Sequence, residues 1–135
     1  MTTAGYSGTP LPAKLGIKPG MRVAWPGAPE HFASLLGDLS RVNVLARAAA
    51  SMDVVVLFVT KRSVLERRLP ALMEAIRPAG ATWVAWPKRS SGVASDIAED
   101  VVRDIALPIG LVDTKVCAID ETWSGLKLVI RKELR

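Results

Sequence analysis

The longest apolar run in the chain is Val54-Val55-Val56-Leu57-Phe58-Val59. Continuous, mostly β-branched apolar residues suit a strand buried on both faces, as in a parallel sheet between helix layers. A strand is therefore expected over Asp53 to Val59. Met21 to Trp25, ended by Pro26-Gly27-Ala28-Pro29, and Ala81 to Trp86, stopped by Pro87, read as strands of the same kind. Val42 to Ala46 is a weaker strand. Leu111 to Ile119 and Leu126 to Arg131 are two more, and the Asp120 to Gly125 link is too short for a crossover, so they pair antiparallel.

Between the strands the apolar period changes to that of a helix. Phe32, Leu35 and Leu36 make one face of a short helix from Glu30 to about Leu36, with Pro29 in its first turn. Leu65, Leu69, Leu72 and Ile76 mark a longer one, with Thr60 as its N-cap. Pro70 lies inside that pattern and predicts a kink or a break. Ile97, Val101, Val102 and Ile105 stripe a third helix, from about Asp96 to Leu107, where Asp96 and Glu99 resemble a capping box. Arg47 to Ser51 is too short for a full crossover helix. Pro10, Pro12 and Pro19 make residues 1–20 an extended arm that could cover a sheet edge. One turn near Lys14 to Ile17 would be anchored there by Leu15 and Ile17. Residues 21–135 then form a single α/β domain.

Strand–helix alternation with right-handed crossovers gives a three-layer α/β/α, Rossmann-like domain. Its sheet of about six strands is mostly parallel and ends in an antiparallel hairpin. At 135 residues, half of them hydrophobic, the chain can bury a core without a disulfide or metal staple. Cys117 is the only cysteine and His31 the only histidine, which rules out an internal disulfide and zinc sites built from several such ligands. Cys117 reads as a small buried hydrophobe and His31 as a surface residue. Met1 to Pro12 carries neither a basic region nor an apolar run, so a secretory signal is not expected. No apolar run is long enough to span a membrane. The expected location is cytoplasmic.

Several segments resemble the class I methyltransferase core. Lys18-Pro19-Gly20-Met21-Arg22-Val23 looks like the approach to that family's first strand, and Asp53-Val54-Val55-Val56 like its central strand. Leu69 to Leu72 and Ile76 to Gly80 are similar to the helix and turn before its next strand. The resemblance implies the fold. The family's cofactor marks are a glycine-rich loop after the first strand and an acidic residue ending the second. Here those places hold Trp25-Pro26-Gly27-Ala28-Pro29 and Val44-Leu45-Ala46-Arg47. S-adenosylmethionine in the usual mode is therefore not expected, and no cofactor is assigned. A second resemblance is to a small bacterial family of uncharacterised function. Gly5-Tyr6-Ser7-Gly8-Thr9-Pro10-Leu11, Trp86-Pro87-Lys88 with Ser90-Ser91-Gly92, and Asp120 to Leu126 carry it. It implies the same fold and supplies no catalytic residues.

Ligands of open α/β sheets bind outside the carboxyl ends of the strands, where the strand order reverses. That point should fall between the first strand and the Asp53 to Val59 strand. Lys61, Arg62, Lys88 and Arg89, with Ser90 and Ser91, would gather on this rim, and an anion there would relieve their repulsion at helix N-termini. The alternative is solvated loop charge. Trp25 and Trp86 share a Val-Ala-Trp-Pro echo and could stack on a ring, or else cap the core. Asp120 and Glu121 are candidate acid–base groups or simply a polar turn. Ser90 and Ser91 lack a nearby histidine, so no serine nucleophile is assigned; nor are a catalytic residue or a metal. The net charge of +5 is spread along the chain, with no nucleic-acid motif, so nucleic acid is not the favoured partner. The expected function is a non-enzymatic domain binding a small anionic ligand or a protein partner at this rim. A divergent methyltransferase is the first alternative, and a structural or interaction module the second.

Overall fold

The computed structural model describes residues 9–135. The Gly5 to Gly8 part of the arm signature lies outside the described residues. In chain order the elements are α1 (Leu11–Leu15), β1 (Arg22–Ala24), α2 (Phe32–Leu36), β2 (Asn43–Val44), β3 (Val54–Phe58), α3 (Arg62–Ala75), β4 (Ala81–Pro87), α4 (Glu99–Ile109), β5 (Leu111–Ala118) and β6 (Trp123–Ile130). The strands form one sheet in the order β2-β1-β3-β4-β6-β5. β1 pairs in parallel with both β2 and β3, and β3 with β4. β6 is antiparallel to β4 and β5. This is the methyltransferase-like α/β architecture expected above, with its strand order reversing beside β1.

Every residue of β3 and of β4 is buried, so both faces of the sheet must be covered. Side chains alternate across a strand. Val55, Leu57 and Val84 enter one cluster with Leu65, Leu69 and Leu72 of α3 and Val102 and Ile105 of α4. Val54, Val56, Phe58 and Trp83 enter the other, with Leu15 of α1 and Phe32 and Leu36 of α2. The two faces are covered by very different means. The first has helices of 14 and 11 residues, the second two helices of five residues each. Aromatic rings complete the second cover. Trp25, Phe32, Phe58 and Trp123 form a chain of edge-to-face contacts, with centroids 5.4, 4.8 and 5.1 Å apart. Such pairs add about 0.5–1.5 kcal/mol each beyond the area they bury. Trp83 is fully buried beneath α1 and donates its Nε1–H to the Leu15 carbonyl at 3.0 Å.

The structure corrects several local expectations. Pro70 does not break its helix but lies within α3, and α4 runs past Leu107 to Ile109 with Pro108 inside it. Both prolines are exposed, and the carbonyls they leave without a helical donor, at Glu66 and Asp104, belong to exposed residues. α4 begins at Glu99, not near Asp96, and has no side-chain cap. Thr60 does not cap α3, whose N-cap position is Lys61. The extended arm contains the helical turn α1, placed slightly ahead of the expected one. Its Leu15, with Ile17 beyond it, is buried in the second cluster. β2 shrinks to two exposed residues, and β6 starts at Trp123, three residues early. Among the described residues, no helix is long and apolar enough to cross a membrane.

Val56 is fully buried at the centre of β3. Val56→Asp places an unpaired carboxylate there, at a cost of about 3–5 kcal/mol or more. The variant should unfold or melt far below the wild type by circular dichroism; a native melting curve would contradict the double-sided burial of β3.

Candidate functional site

The carboxyl ends of β1, β3 and β4 form the rim at which ligands of this architecture bind. The loop after β1 is folded down onto β3 and is not open to a ligand. Phe58 donates its N–H to the Pro26 carbonyl at 3.0 Å, and Ala28 donates to Trp25 at 3.2 Å. Gly27 has φ +76°, and a Cβ there would meet the Phe58 carbonyl oxygen at 2.5 Å. Glycine is thus required for contact with β3 itself. Pro26 and Pro29 have no N–H and that of Ala28 is used, so among residues 26–29 only Gly27 keeps a free backbone donor. Past β2, Leu45 donates to the Val23 carbonyl at 2.8 Å, and Val44-Leu45-Ala46-Arg47 carries no carboxylate. These residues do not fit S-adenosylmethionine in the usual mode of the methyltransferase fold.

The basic loops are partly committed to partners within the chain. At the start of α3, the Arg62 backbone N–H donates to Asp96 Oδ1 at 2.6 Å. Asp96 N–H and Ser95 Oγ–H in turn donate to the Thr60 carbonyl, at 3.2 and 3.0 Å. The positive end of α3 therefore already faces a carboxylate, supplied by the strap before α4. The Arg62 guanidinium is 3.6 Å from Glu66, while Lys61 and Arg89 are exposed. Lys88 Nζ donates to the Asp120 carbonyl at 2.9 Å. Arg89, Ser90 and Ser91 form a 3₁₀ turn in which Ser91 Oγ–H donates to the Lys88 carbonyl at 2.6 Å.

The two echo tryptophans do not meet. In the sheet register Val23 and Val54 align with Ala81, so Val84 lies three residues further along. An odd offset reverses the face. Trp25 packs half-buried with the α1–α2 cluster, whereas Trp86 is 7% exposed in the α3–α4 cluster. They cannot clamp one ring between them.

A different constellation occupies the rim on the α1–α2 side. A groove of about 620 Å³ runs between α1, α2 and the β5–β6 turn. Leu11, Leu35 and Ile119 give it apolar walls, and Lys14, His31 and Asp120 give it polar edges. His31 Nε2 lies 2.7 Å from Asp120 Oδ2. Asp120 Oδ1 accepts the backbone N–H groups of Thr122 and Trp123, at 2.8 and 2.7 Å. Burial pushes the Asp120 carboxyl pKa up, but the bonds from His31 and from the Trp123 and Thr122 backbone outweigh this and hold it below the ordinary carboxylate range. Asp120 is thus an ionised anchor, 18% exposed, and His31 a half-exposed ring aligned by it. With Nε2 on the carboxylate, Nδ1 is left to the groove's solvent or a ligand. Sequence reading placed His31 on the surface and Asp120 in the turn but did not join them, since they are 89 residues apart. The available signal was topological: both follow carboxyl ends of the sheet. Cys117 is half-buried, and burial pushes its thiol pKa up, so it is not an activated nucleophile.

No family model matches the chain, and no curated protein matches it. Solved structures do resemble it. A SAM-dependent methyltransferase from Aquifex aeolicus superposes with a TM-score of 0.63 at 16% identity, over 87% of this chain and 86% of that one. Magnesium protoporphyrin IX methyltransferase from Synechocystis, solved with bound SAM, gives 0.60 at 12% identity, over 90% and 74%. A SAM-dependent O-methyltransferase from Thermotoga maritima gives 0.57 at 12% identity, over 98% and 68%. The likeness is one of fold: the chain has a class I methyltransferase-like core.

The sign of the Asp120 shift fixes a pH dependence. A carboxylate whose folded pKa is depressed adds stability that is fully present above its unfolded value of about 3.9 and is lost as pH falls through the folded value. Asp120→Ala should therefore cost about 1–3 kcal/mol at pH 7, with the gap to wild type closing as pH falls through the depressed folded value. Urea unfolding at several pH values measures this; a pH-independent gap would contradict the ionised anchor.

Proposed function

We propose that the protein is a methyltransferase-fold domain that binds a small amphipathic ligand in the α1–α2 groove, at the carboxyl ends of the strands. The observation that carries this reading is the His31–Asp120 pair on the edge of an apolar-walled groove. A concave apolar site with a few converging polar groups is the usual form of a small-molecule site, and about 620 Å³ falls in the ordinary size range. Leu11, Leu35 and Ile119 would take the ligand's apolar body. His31 would hydrogen-bond its polar group, and Lys14 would favour a negative charge on it. Of the basic residues first assigned to an anion rim, Lys88 contributes through the turn it holds, and Lys61, Arg62 and Arg89 are left to a separate, weaker anion edge. Membership of the small bacterial family suggested by Trp86-Pro87-Lys88 and Asp120 to Leu126 is part of the same reading.

A second reading is favoured by the likeness of fold: a divergent S-adenosylmethionine-dependent methyltransferase. It requires a cofactor held without the glycine loop's backbone donors and without an acid after β2.

Two measurements separate these. A ligand at 100 times its dissociation constant adds about 2.7 kcal/mol and visibly raises the melting temperature. Millimolar S-adenosylhomocysteine should leave the melting temperature unchanged; a clear rise would move the assignment to the methyltransferase reading. In amide NMR, a panel of small aromatic and aliphatic carboxylates should perturb His31, Ser34 and Thr122 saturably. His31→Ala should weaken the best binder about tenfold, the equivalent of about 1.4 kcal/mol. Perturbations confined to Trp86 and Arg89 would place the ligand on the other face and refute the groove.

A further inference from the structure

The opposite face of the sheet carries a second concavity, of about 510 Å³, between the Arg47–Ala50 crossover and the outer side of α3. Three guanidinium groups border it: Arg47 from the crossover, and Arg67 and Arg68 from α3. The one carboxylate in its lining, Glu74, is engaged by Arg77 at 2.9 Å. Nearby Glu66 faces Arg62. The lining thus carries three cations against one carboxylate, and among the described residues Arg47, Arg67 and Arg68 have no ion-pair partner. The crossover is also fixed in place. Arg22 donates to the Ala50 carbonyl at 3.1 Å, Met52 N–H to Ala75 at 2.8 Å, and Ala48 packs against the core. Ala49, Ala50 and Ala71 leave the floor low and apolar.

We propose that this cleft binds an organic polyphosphate of the nucleoside diphosphate class. Arginine's planar fork matches phosphate oxygens two at a time and also stacks on flat rings. Arginines on two sides suit a pair of linked phosphates, and the alanine floor accepts the face of a base. The volume of this open cleft is that of a small ligand, which favours a free nucleotide over a nucleic-acid strand. The proposal does not depend on the α1–α2 groove, since the two concavities lie on opposite faces.

The probe is fluorescent N-methylanthraniloyl-ADP, titrated against the whole protein by anisotropy. Binding should saturate, and should weaken as salt is raised, because exposed charges are screened. Arg67→Glu with Arg68→Glu should weaken it at least tenfold, and Arg47→Glu alone several-fold. Lys18→Glu with Lys132→Glu, the same charge change at exposed positions outside the cleft, should leave it within twofold. All variants change exposed side chains, and circular dichroism checks that each is folded. Equal loss in the Lys18/Lys132 pair would overturn the proposal in favour of bulk charge. So would unlabelled adenosine competing as well as ADP, or a single-stranded RNA 12-mer displacing the probe at far lower concentration than ADP. No saturable binding at millimolar probe would overturn it as well.

Discussion

The constraint on which the molecule depends is the complete burial of two adjacent strands. β3 and β4 present no residue to water, so each sheet face must be sealed. α3 and α4 seal one face as ordinary amphipathic helices. Among the described residues the other face has only α1 and α2, of five residues each, which are too short to span it. Large rings make up the deficit: Trp83 is buried under α1 and bonded to its Leu15 carbonyl, and Trp25, Phe32, Phe58 and Trp123 interlock along the strand ends. What two short helices and a row of rings leave uncovered is the groove beside the β5–β6 turn. The candidate site is thus a consequence of how sparsely that face is roofed.

The same roofing explains why the fold's likeness to methyltransferases does not carry their cofactor chemistry with it. In the loop after β1, Gly27 serves close contact with the Phe58 backbone, and the Pro26 carbonyl accepts the Phe58 N–H. Those contacts bring Trp25 and Phe32 over the sheet. A loop used to fasten a hydrophobic cover cannot also hold its N–H groups outward for a ligand, and two of its positions are prolines without one. Function on a common fold resides in such local details.

Elements set by a run of neighbouring residues were legible in the sequence. Val54 to Val59 announces double-sided burial by itself, and Leu65, Leu69 and Leu72 announce α3 despite Pro70. Features that depend on register or on distant partners were not legible. The Val-Ala-Trp-Pro echo looks like a matched pair, but the face each tryptophan takes depends on how β1, β3 and β4 align, and that alignment differs by three residues. Asp96 has the local look of a cap for its own helix, yet its carboxylate serves α3, 34 residues earlier. Local capping rules identify a residue suited to hold an N–H; they do not say whose.

His31 and Asp120 carry that lesson to the site. Each has a sufficient local explanation: a polar residue at a helix start, and an aspartate whose side chain organises a tight turn. Asp120 does organise its turn, through two backbone N–H groups on one oxygen. That leaves its second oxygen for the one histidine in the chain. With Lys88 tying the same residue's carbonyl to the end of β4, the turn is held from α2 and from the sheet at once. A ring oriented by a carboxylate that is itself fixed by two backbone hydrogen bonds stands ready for a ligand with little further ordering, which is the condition under which a single hydrogen bond adds most to affinity.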